Sequence, residues 1–315
     1  MRVRREKRKK NLTNSTDILY DVRKHKGCLD DGEWYYDSVI DYCLKKACEA
    51  ALFEGHYSLV SEWNLGRVAG CDFSVLSSFL IPKAMSSKGL MQLPSHTGTG
   101  WILGGNNSLC EFLLIPINFD NTHWSLGIVW LAPSPGSSEW KRCILYLDSL
   151  SSPSSKFRKK VEEKCGGIRT YLNSRCQMSD DYTTHNLPVI HVKVPQQDNG
   201  YDCGLFVLHY AILFITCQNK RALAIDLIHG NKENWFGGGT SEGVSEYLYN
   251  LRKSVRDAIL CQIADLKPLR TDESKTTVEW TISDGIMELV EEEESDEKEG
   301  SISRRKLEDN SNSKE

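Results

Sequence analysis

Apolar residues early in the chain recur at helical spacing. In 37–53, DSVIDYCLKKACEALFE, the positions Ile40, Cys43, Leu44, Ala47, Ala51 and Leu52 share one face, and Asp37 is placed to cap the start. A second short helix is predicted around 72–80, DFSVLSSFL. Residues 86–109 are rich in Gly, Ser, Thr and Asn and predict a long loop. The period then changes. EFLLIPI (111–117) is a continuous apolar run of strand length. HWSLGIVW (123–130) alternates, with Trp124, Leu126, Ile128 and Trp130 on one face and His123, Ser125 and Gly127 on the other. After the turn-rich 132–140, CILYLD (143–148) predicts a third strand, and VIHVKV (189–194) a fourth that Pro195 stops. Between them, 154–176 is helical on both sides of Gly166–Gly167, which predicts two pieces or a kink. CGLFVLHYAILFITC (203–217) is apolar nearly all round and predicts a buried helix. In 245–266, Leu248, Leu251, Val255, Ile259 and Ile263 form one stripe of a final amphipathic helix.

Helices, a central block of strands, then helices again predict an α+β domain with a mixed or antiparallel sheet, spanning roughly 17–267. Outside it, 1–16 reads as a disordered basic tail and 268–315 as a disordered acidic one. The cluster RVRREKRKK suits either a solvated tail or a nuclear-localisation patch.

Composition narrows the picture. The chain has 315 residues, 40% hydrophobic and 26% charged, with a net charge of −4, which argues against a general nucleic-acid binder. Its 11 cysteines are scattered, with no CxxC and no zinc-finger spacing, so neither a disulfide framework nor a metal site is expected. No apolar core follows the basic start, so no signal peptide is expected. The apolar run from Leu205 to Ile215 is too short to span a bilayer. Together these predict a reducing compartment, nucleus or cytoplasm.

The chemistry concentrates in PQQDNGYDCGLFVL (195–208). A turn of Pro, Asp, Asn and Gly delivers Cys203 to the start of a buried helix, where orphan N–H groups and the helix dipole favour a thiolate. Gly204 is expected to leave room for a substrate backbone beside the sulfur. Taken alone, Cys203 reads first as an inert core thiol. A nucleophile needs a base and the base an orienting acceptor. His123 opens a strand after the polar NFDNT, and Asp148 ends another strand, so two strands ending at one edge would bring them together. By themselves they also read as a surface histidine and a turn residue. Gln197, in the turn before Cys203, has an amide that could donate to an oxyanion, and without a partner it is an ordinary loop residue.

Several stretches, taken in order, resemble the ubiquitin-like-protein protease family, the sentrin/SUMO-specific cysteine proteases. WYYDSVIDYCL (34–44) looks like the family's amino-terminal segment, and FLLIPINFDNTHWSLGIV (112–129) like its strand–turn–His-Trp block. ILYLDSL (144–150) resembles the strand ending in the catalytic aspartate, and VPQQDNGYDCGLFVLHY (194–210) the Gln-and-Cys block. The resemblance covers roughly 30–220. It implies a variant of the papain-like cysteine protease fold, with the nucleophile at the N-terminus of a buried helix. It implies Cys203 as nucleophile, His123 as general base and acid, Asp148 as its orienting partner and Gln197 as oxyanion donor. Trp34 and Trp124 match two aromatics that flank a tunnel for a terminal Gly-Gly, and ordinary core packing is the alternative for each.

The resemblance further implies cleavage after the terminal glycines of a ubiquitin-like modifier. SUMO is the first candidate, processed from a precursor or removed from lysine by a monomer that needs no cofactor. The partner is the modifier and its conjugates, with no nucleic acid and no membrane. The long His-to-Asp interval, through an insertion at 131–142, and the expanded 86–109 depart from the family pattern and bear on modifier choice. Rival readings are a deneddylase or deubiquitinase, a modifier-binding module without catalysis, and an acyltransferase. In the tail, GIMELVEEEESDE (285–297) sets an apolar cluster beside acids, which reads as a random patch or as a strand that adds to a modifier's sheet, resembling a SUMO-interacting motif.

Overall fold

The computed structural model describes residues 15–50, 57–58, 64–68, 73–86, 111–131, 142–150, 152, 154–175, 182–232, 235, 241–266, 277–283 and 286–292. The basic cluster, nearly all of 86–109, the 132–140 connection and the acidic end beyond 292 lie outside the described residues. The fold is α+β. Helix α1 (Ser15–Lys24), a 3-10 turn (Lys26–Leu29) and α2 (Asp37–Ala50) precede strands β1 (Tyr57–Ser58), β2 (Asn64–Val68) and β3 (Phe73–Leu76). Helix α3 (Leu80–Ala84) leads to β4 (Phe112–Phe119), β5 (His123–Trp130) and β6 (Cys143–Leu147). Then come α4 (Ser155–Arg175), β7 (Val189–His191), α5 (Cys203–Thr216), α6 (Lys220–His229) and α7 (Ser241–Asp265).

The seven strands form one sheet in sequence order. Neighbours run antiparallel except β3 with β4 and β6 with β7, which are parallel, so the sheet is mixed. The alternation in β5 sorts its side chains between two cores. Trp124, Leu126, Ile128 and Trp130 join Phe112, Leu114 and Leu145 on the face covered by α2, α5 and α7. Val129 joins Ile115, Ile117 and Tyr146 on the face covered by α3 and α4, against Ile168 and Leu172. Both faces of β5 are therefore buried; the second carries Ser125 and Gly127, small residues over which α4 can lie close.

Three elements differ from expectation. Residues 73–76, predicted as part of a helix, form β3, in which all four residues are buried and Phe73–Val75 pair in parallel with Phe112–Leu114 of β4. Burial on both faces overrides the weak local preference there, and the helix starts only at Leu80. Helix α4 runs unbroken through Gly166–Gly167. Gly167 is a contact point: a Cβ there would lie 2.8 Å from Met85 Cγ and 3.2 Å from Ile81 Cγ2, so the missing side chain lets α4 approach α3. In the region expected to be tail, β8 (Thr277–Ser283) and β9 (Ile286–Glu292) pair antiparallel. The segment resembling a SUMO-interacting motif thus already has a strand partner in its own chain.

Among the described residues no helix is long and apolar enough to cross a membrane.

Candidate active site

The turn joining β4 to β5 sets where β5 begins. Asp120 and Asn121 both adopt left-handed backbone, φ 53° and 62°, which Asp and Asn tolerate better than most residues. Asn118 Oδ1 accepts from the Asn121 N–H (2.7 Å), and Thr122 donates from N and Oγ1 to the Phe119 carbonyl (3.0 and 2.8 Å). The chain thus enters β5 at His123. Because β5 and β6 are antiparallel, the first residue of one and the residue after the last of the other meet at one edge. His123 Nε2 lies 2.7 Å from Asp148 Oδ1; a carboxylate only accepts, so Nε2 carries the hydrogen and Nδ1 is left to face the sulfur.

Asp148 is fully engaged. Oδ1 also accepts from the Leu150 N–H (2.8 Å), and Oδ2 accepts from the Tyr146 hydroxyl (2.6 Å), two residues earlier on β6. His123 is mostly buried, which opposes its charged form. Hydrogen bonds to Asp148 and to Cys203, with the charges of both, outweigh burial and raise it from 6.5 to about 9. Cys203 is the first residue of α5, 2% exposed, and within hydrogen-bonding reach of His123. The described cysteines, Cys203 among them, are thiols and not disulfides.

The turn before Cys203 is cross-braced. Gln197 donates from its backbone N–H to the Ser149 carbonyl (2.7 Å). Its side chain accepts from Ser149 Oγ (2.7 Å) and donates from Nε2 to the Asn199 carbonyl (2.6 Å). Gln196 instead donates to the Asp148 and Val194 carbonyls (3.0 and 3.1 Å). Asn199 Nδ2 donates to Asp202 Oδ2 (2.8 Å), and Asp202 Oδ1 accepts from Arg252 of α7 (2.7 Å).

The two tryptophans differ. Trp124 is buried, and its indole N–H donates to the Tyr35 carbonyl (2.9 Å). Trp34 is 44% exposed, and its N–H reaches across to the Gly200 carbonyl (2.6 Å) in the turn before Cys203. Gly204 does not do what was expected of it. A Cβ there would lie 3.1 Å from Tyr35 Cβ and 3.3 Å from Ile40 Cδ1, so it lets the first turn of α5 pack on the Trp34 segment.

All six residues singled out in the sequence therefore collect around the start of α5. Sequence reasoning missed Tyr146, Ser149 and Arg252. Tyr146 carried a signal, being on the same strand face as Asp148. So did Arg252, a charge within the apolar stripe, four residues after Leu248 and three before Val255. Among the described residues no group of three His, Cys, Asp or Glu side chains is arranged to hold a metal. The layout sets a cysteine at the opening of a buried helix beside a His–Asp pair on the sheet edge.

Residues 106–229 match the Ulp1 protease family, C-terminal catalytic domain. The likeness to that family rests on this segment. The matched segment contains His123, Trp124, Asp148, Gln197 and Cys203; Trp34 and Arg252 lie outside it. Probable ubiquitin-like-specific protease 2A of Arabidopsis thaliana is 30% identical over 200 residues, covering 56% of this chain and 24% of that protein. Human sentrin-specific protease 2 is 28% identical over 189 residues, covering 58% and 26%. The chain thus spans about a quarter of the length of these relatives. A solved C-terminal Ulp1 protease domain, in complex with Smt3, the yeast ortholog of SUMO, aligns with a TM-score of 0.42 at 19% identity, covering 67% of this chain and 83% of that one.

Proposed function

We propose that the chain is a cysteine protease that cleaves after the terminal Gly-Gly of a ubiquitin-like modifier, with SUMO the first candidate, in the nucleus or cytoplasm. The observation that carries this reading is His123 held between Asp148, at 2.7 Å, and the Cys203 thiol at a helix N-terminus. The match of residues 106–229 to the Ulp1 protease family, and similarity to relatives named as ubiquitin-like-specific and sentrin-specific proteases, support it.

The modifier's body docks on the surface and its extended tail threads between Trp34 and Trp124. Flat indoles suit a stretch of backbone without side chains. Cys203 Sγ attacks the carbonyl of the last glycine. Charge passes to the carbonyl oxygen, where the second Nε2 proton of Gln197 and the Cys203 backbone N–H receive it. His123, already carrying a proton, delivers it to the departing amine as the C–N bond breaks. Asp148, with both oxygens occupied, keeps the ring's orientation through the cycle. Water, activated by the now neutral His123, then hydrolyses the thioester and frees Cys203.

The test is side-by-side cleavage of SUMO, the cullin-modifying relative and ubiquitin, each carrying a carboxy-terminal fluorogenic amide. SUMO amide is expected to turn over fastest, and Cys203→Ser to abolish turnover while retaining the fold and modifier binding. A Cys203→Ser variant with wild-type activity would refute the mechanism. Preference for another modifier would refute the SUMO assignment alone.

A further inference from the structure

Resting on that reading, we propose that Ser149, the residue after Asp148, is a positioning residue that sets which end of the Gln197 amide faces the reacting carbonyl. An amide side chain can sit either way round, and the two ends are opposite in character. Nε2 carries two donors, while Oε1 carries lone pairs that would repel a developing oxyanion. A Gln in an oxyanion-stabilising role is useful in one orientation only.

The hydrogen bonds settle the orientation by elimination. The Asn199 carbonyl can only accept, so the Gln197 atom 2.6 Å from it is Nε2. Oε1 must then be the atom 2.7 Å from Ser149 Oγ, and the hydroxyl must be the donor. Flipping the amide would set Oε1 against the Asn199 carbonyl, acceptor against acceptor, and Nε2 against the hydroxyl. Ser149 is 1% exposed, so no bulk water competes for its proton. Its backbone carbonyl also holds the Gln197 N–H at 2.7 Å, which fixes the distance between the two residues. One Nε2 proton stays with Asn199, and the other is left for the oxyanion. Asp148 and Ser149 are consecutive, so one tight stretch of chain orients both the base, through the carboxylate, and the oxyanion donor, through the hydroxyl.

The experiment is a double-mutant cycle in the full chain, with Ser149→Ala, Gln197→Ala and the pair, read on the modifier amide that the wild type cleaves. Removing an oxyanion donor costs roughly 10²–10³-fold in kcat. Ser149→Ala leaves the donor present but unoriented, so a loss of about tenfold in kcat is expected, with KM within about twofold. On the Gln197→Ala background it should cost nothing further. The pH profile of kcat/KM should keep its wild-type midpoints, because the His123–Asp148 pair is untouched. Alkylation of Cys203 by iodoacetamide, which forms no oxyanion, should proceed at the wild-type rate. Losses that multiply in the double variant, or slowed alkylation, would show a general structural role and overturn the inference while leaving the protease reading intact. A wild-type chain that alkylates normally but cleaves no modifier amide would overturn both.

Discussion

Replacing Arg252 by alanine should destabilise the domain by about 4 kcal/mol, although Arg252 lies on α7, outside the segment that matches the family model. Its guanidinium is 4% exposed and makes three hydrogen bonds: to Asp202 Oδ1 at 2.7 Å and to the Asp30 and Glu33 carbonyls at 3.1 Å each. It also lies over the Tyr35 and Tyr201 rings, 4.9 and 5.6 Å from their centroids. Alanine leaves the Asp202 carboxylate buried without its cation, a change that costs about 3–5 kcal/mol in comparable pairs. Two carbonyls also lose a donor, at about 1 kcal/mol each where water does not replace it. Water entering the vacated space offsets part of that sum, hence the central figure. Arg252→Lys keeps a charge for Asp202 but cannot span both carbonyls and both rings, so about half the loss is expected. Urea denaturation followed by tryptophan fluorescence measures both, and the m-value should stay constant. Because the same guanidinium ties the Trp34 segment to the residue before Cys203, the lysine variant should also show a raised KM for modifier amide. A shift below about 1 kcal/mol for Arg252→Ala would mean that the pair is no more than a surface ion pair, and would refute the reasoning.

Three further outcomes are expected. Trp34→Ala loses one hydrogen bond at a half-exposed site, so stability should fall by only about 1 kcal/mol, while kcat/KM on modifier amide falls roughly tenfold or more; an unchanged kcat/KM would remove Trp34 from the tunnel. Gly166→Ala meets nothing within 4 Å and should stabilise α4 by about 0.5–1 kcal/mol, whereas Gly167→Ala, 2.8 Å from Met85 Cγ, should forfeit that gain; thermal melts of the two variants separate the cases. His123 keeps its proton in the folded chain up to about 9 but releases it near 6.5 when unfolded, so its contribution to stability is complete below 6.5 and is lost as pH rises to about 9. Asp148→Asn should flatten that decline in urea midpoints between pH 6.5 and 9, and an unchanged slope would assign it to other groups.

What the sequence made legible was the chemistry and the strands that carry it. The alternation in 123–130 and the apolar 143–147 put His123 and Asp148 at strand ends, and antiparallel pairing did the rest. The buried helix opening at Cys203 was equally visible in its unbroken apolar run. What escaped was whatever depended on a partner distant in sequence. The segment 73–76 reads as helix because local spacing cannot register that β4 lies beside it. Gly166–Gly167 reads as a break because propensity cannot see α3 packing on one of the two. Gly204 was given to the substrate on local grounds, and Tyr35, 169 residues earlier in the chain, claims the space instead. Arg252 was passed over as one more charge on an amphipathic helix, though its place in the apolar stripe set it apart.

Two of these misses, Gly204 and Arg252, lie beside the site, and their place bears on how it works. The reacting groups come from β5, β6, α5 and the turn between Pro195 and Asp202, all within the family-matched segment. The groups that hold that turn come from elsewhere: Trp34 grips the Gly200 carbonyl, Arg252 grips Asp202, and the Asp30 and Glu33 carbonyls grip Arg252 in return. From Arg252 a continuous run of hydrogen bonds passes through Asp202 and Asn199 to the Gln197 amide and ends on Ser149. Any change that moves α7 or the 30–35 segment therefore reaches the oxyanion side of the site before it reaches the His123–Asp148 pair, whose carboxylate is also held by the Tyr146 hydroxyl and the Leu150 N–H, outside that run. Variants of the outer frame should lower kcat with the midpoints of the pH profile unmoved, whereas variants at Tyr146, which bonds Asp148 directly, should move those midpoints. Tyr146→Phe removes the hydroxyl's 2.6 Å bond to Oδ2 and keeps the ring, so it is the sharpest comparison with Arg252→Lys. Matching pH profiles for the two variants would show that the two halves of the site are not held independently.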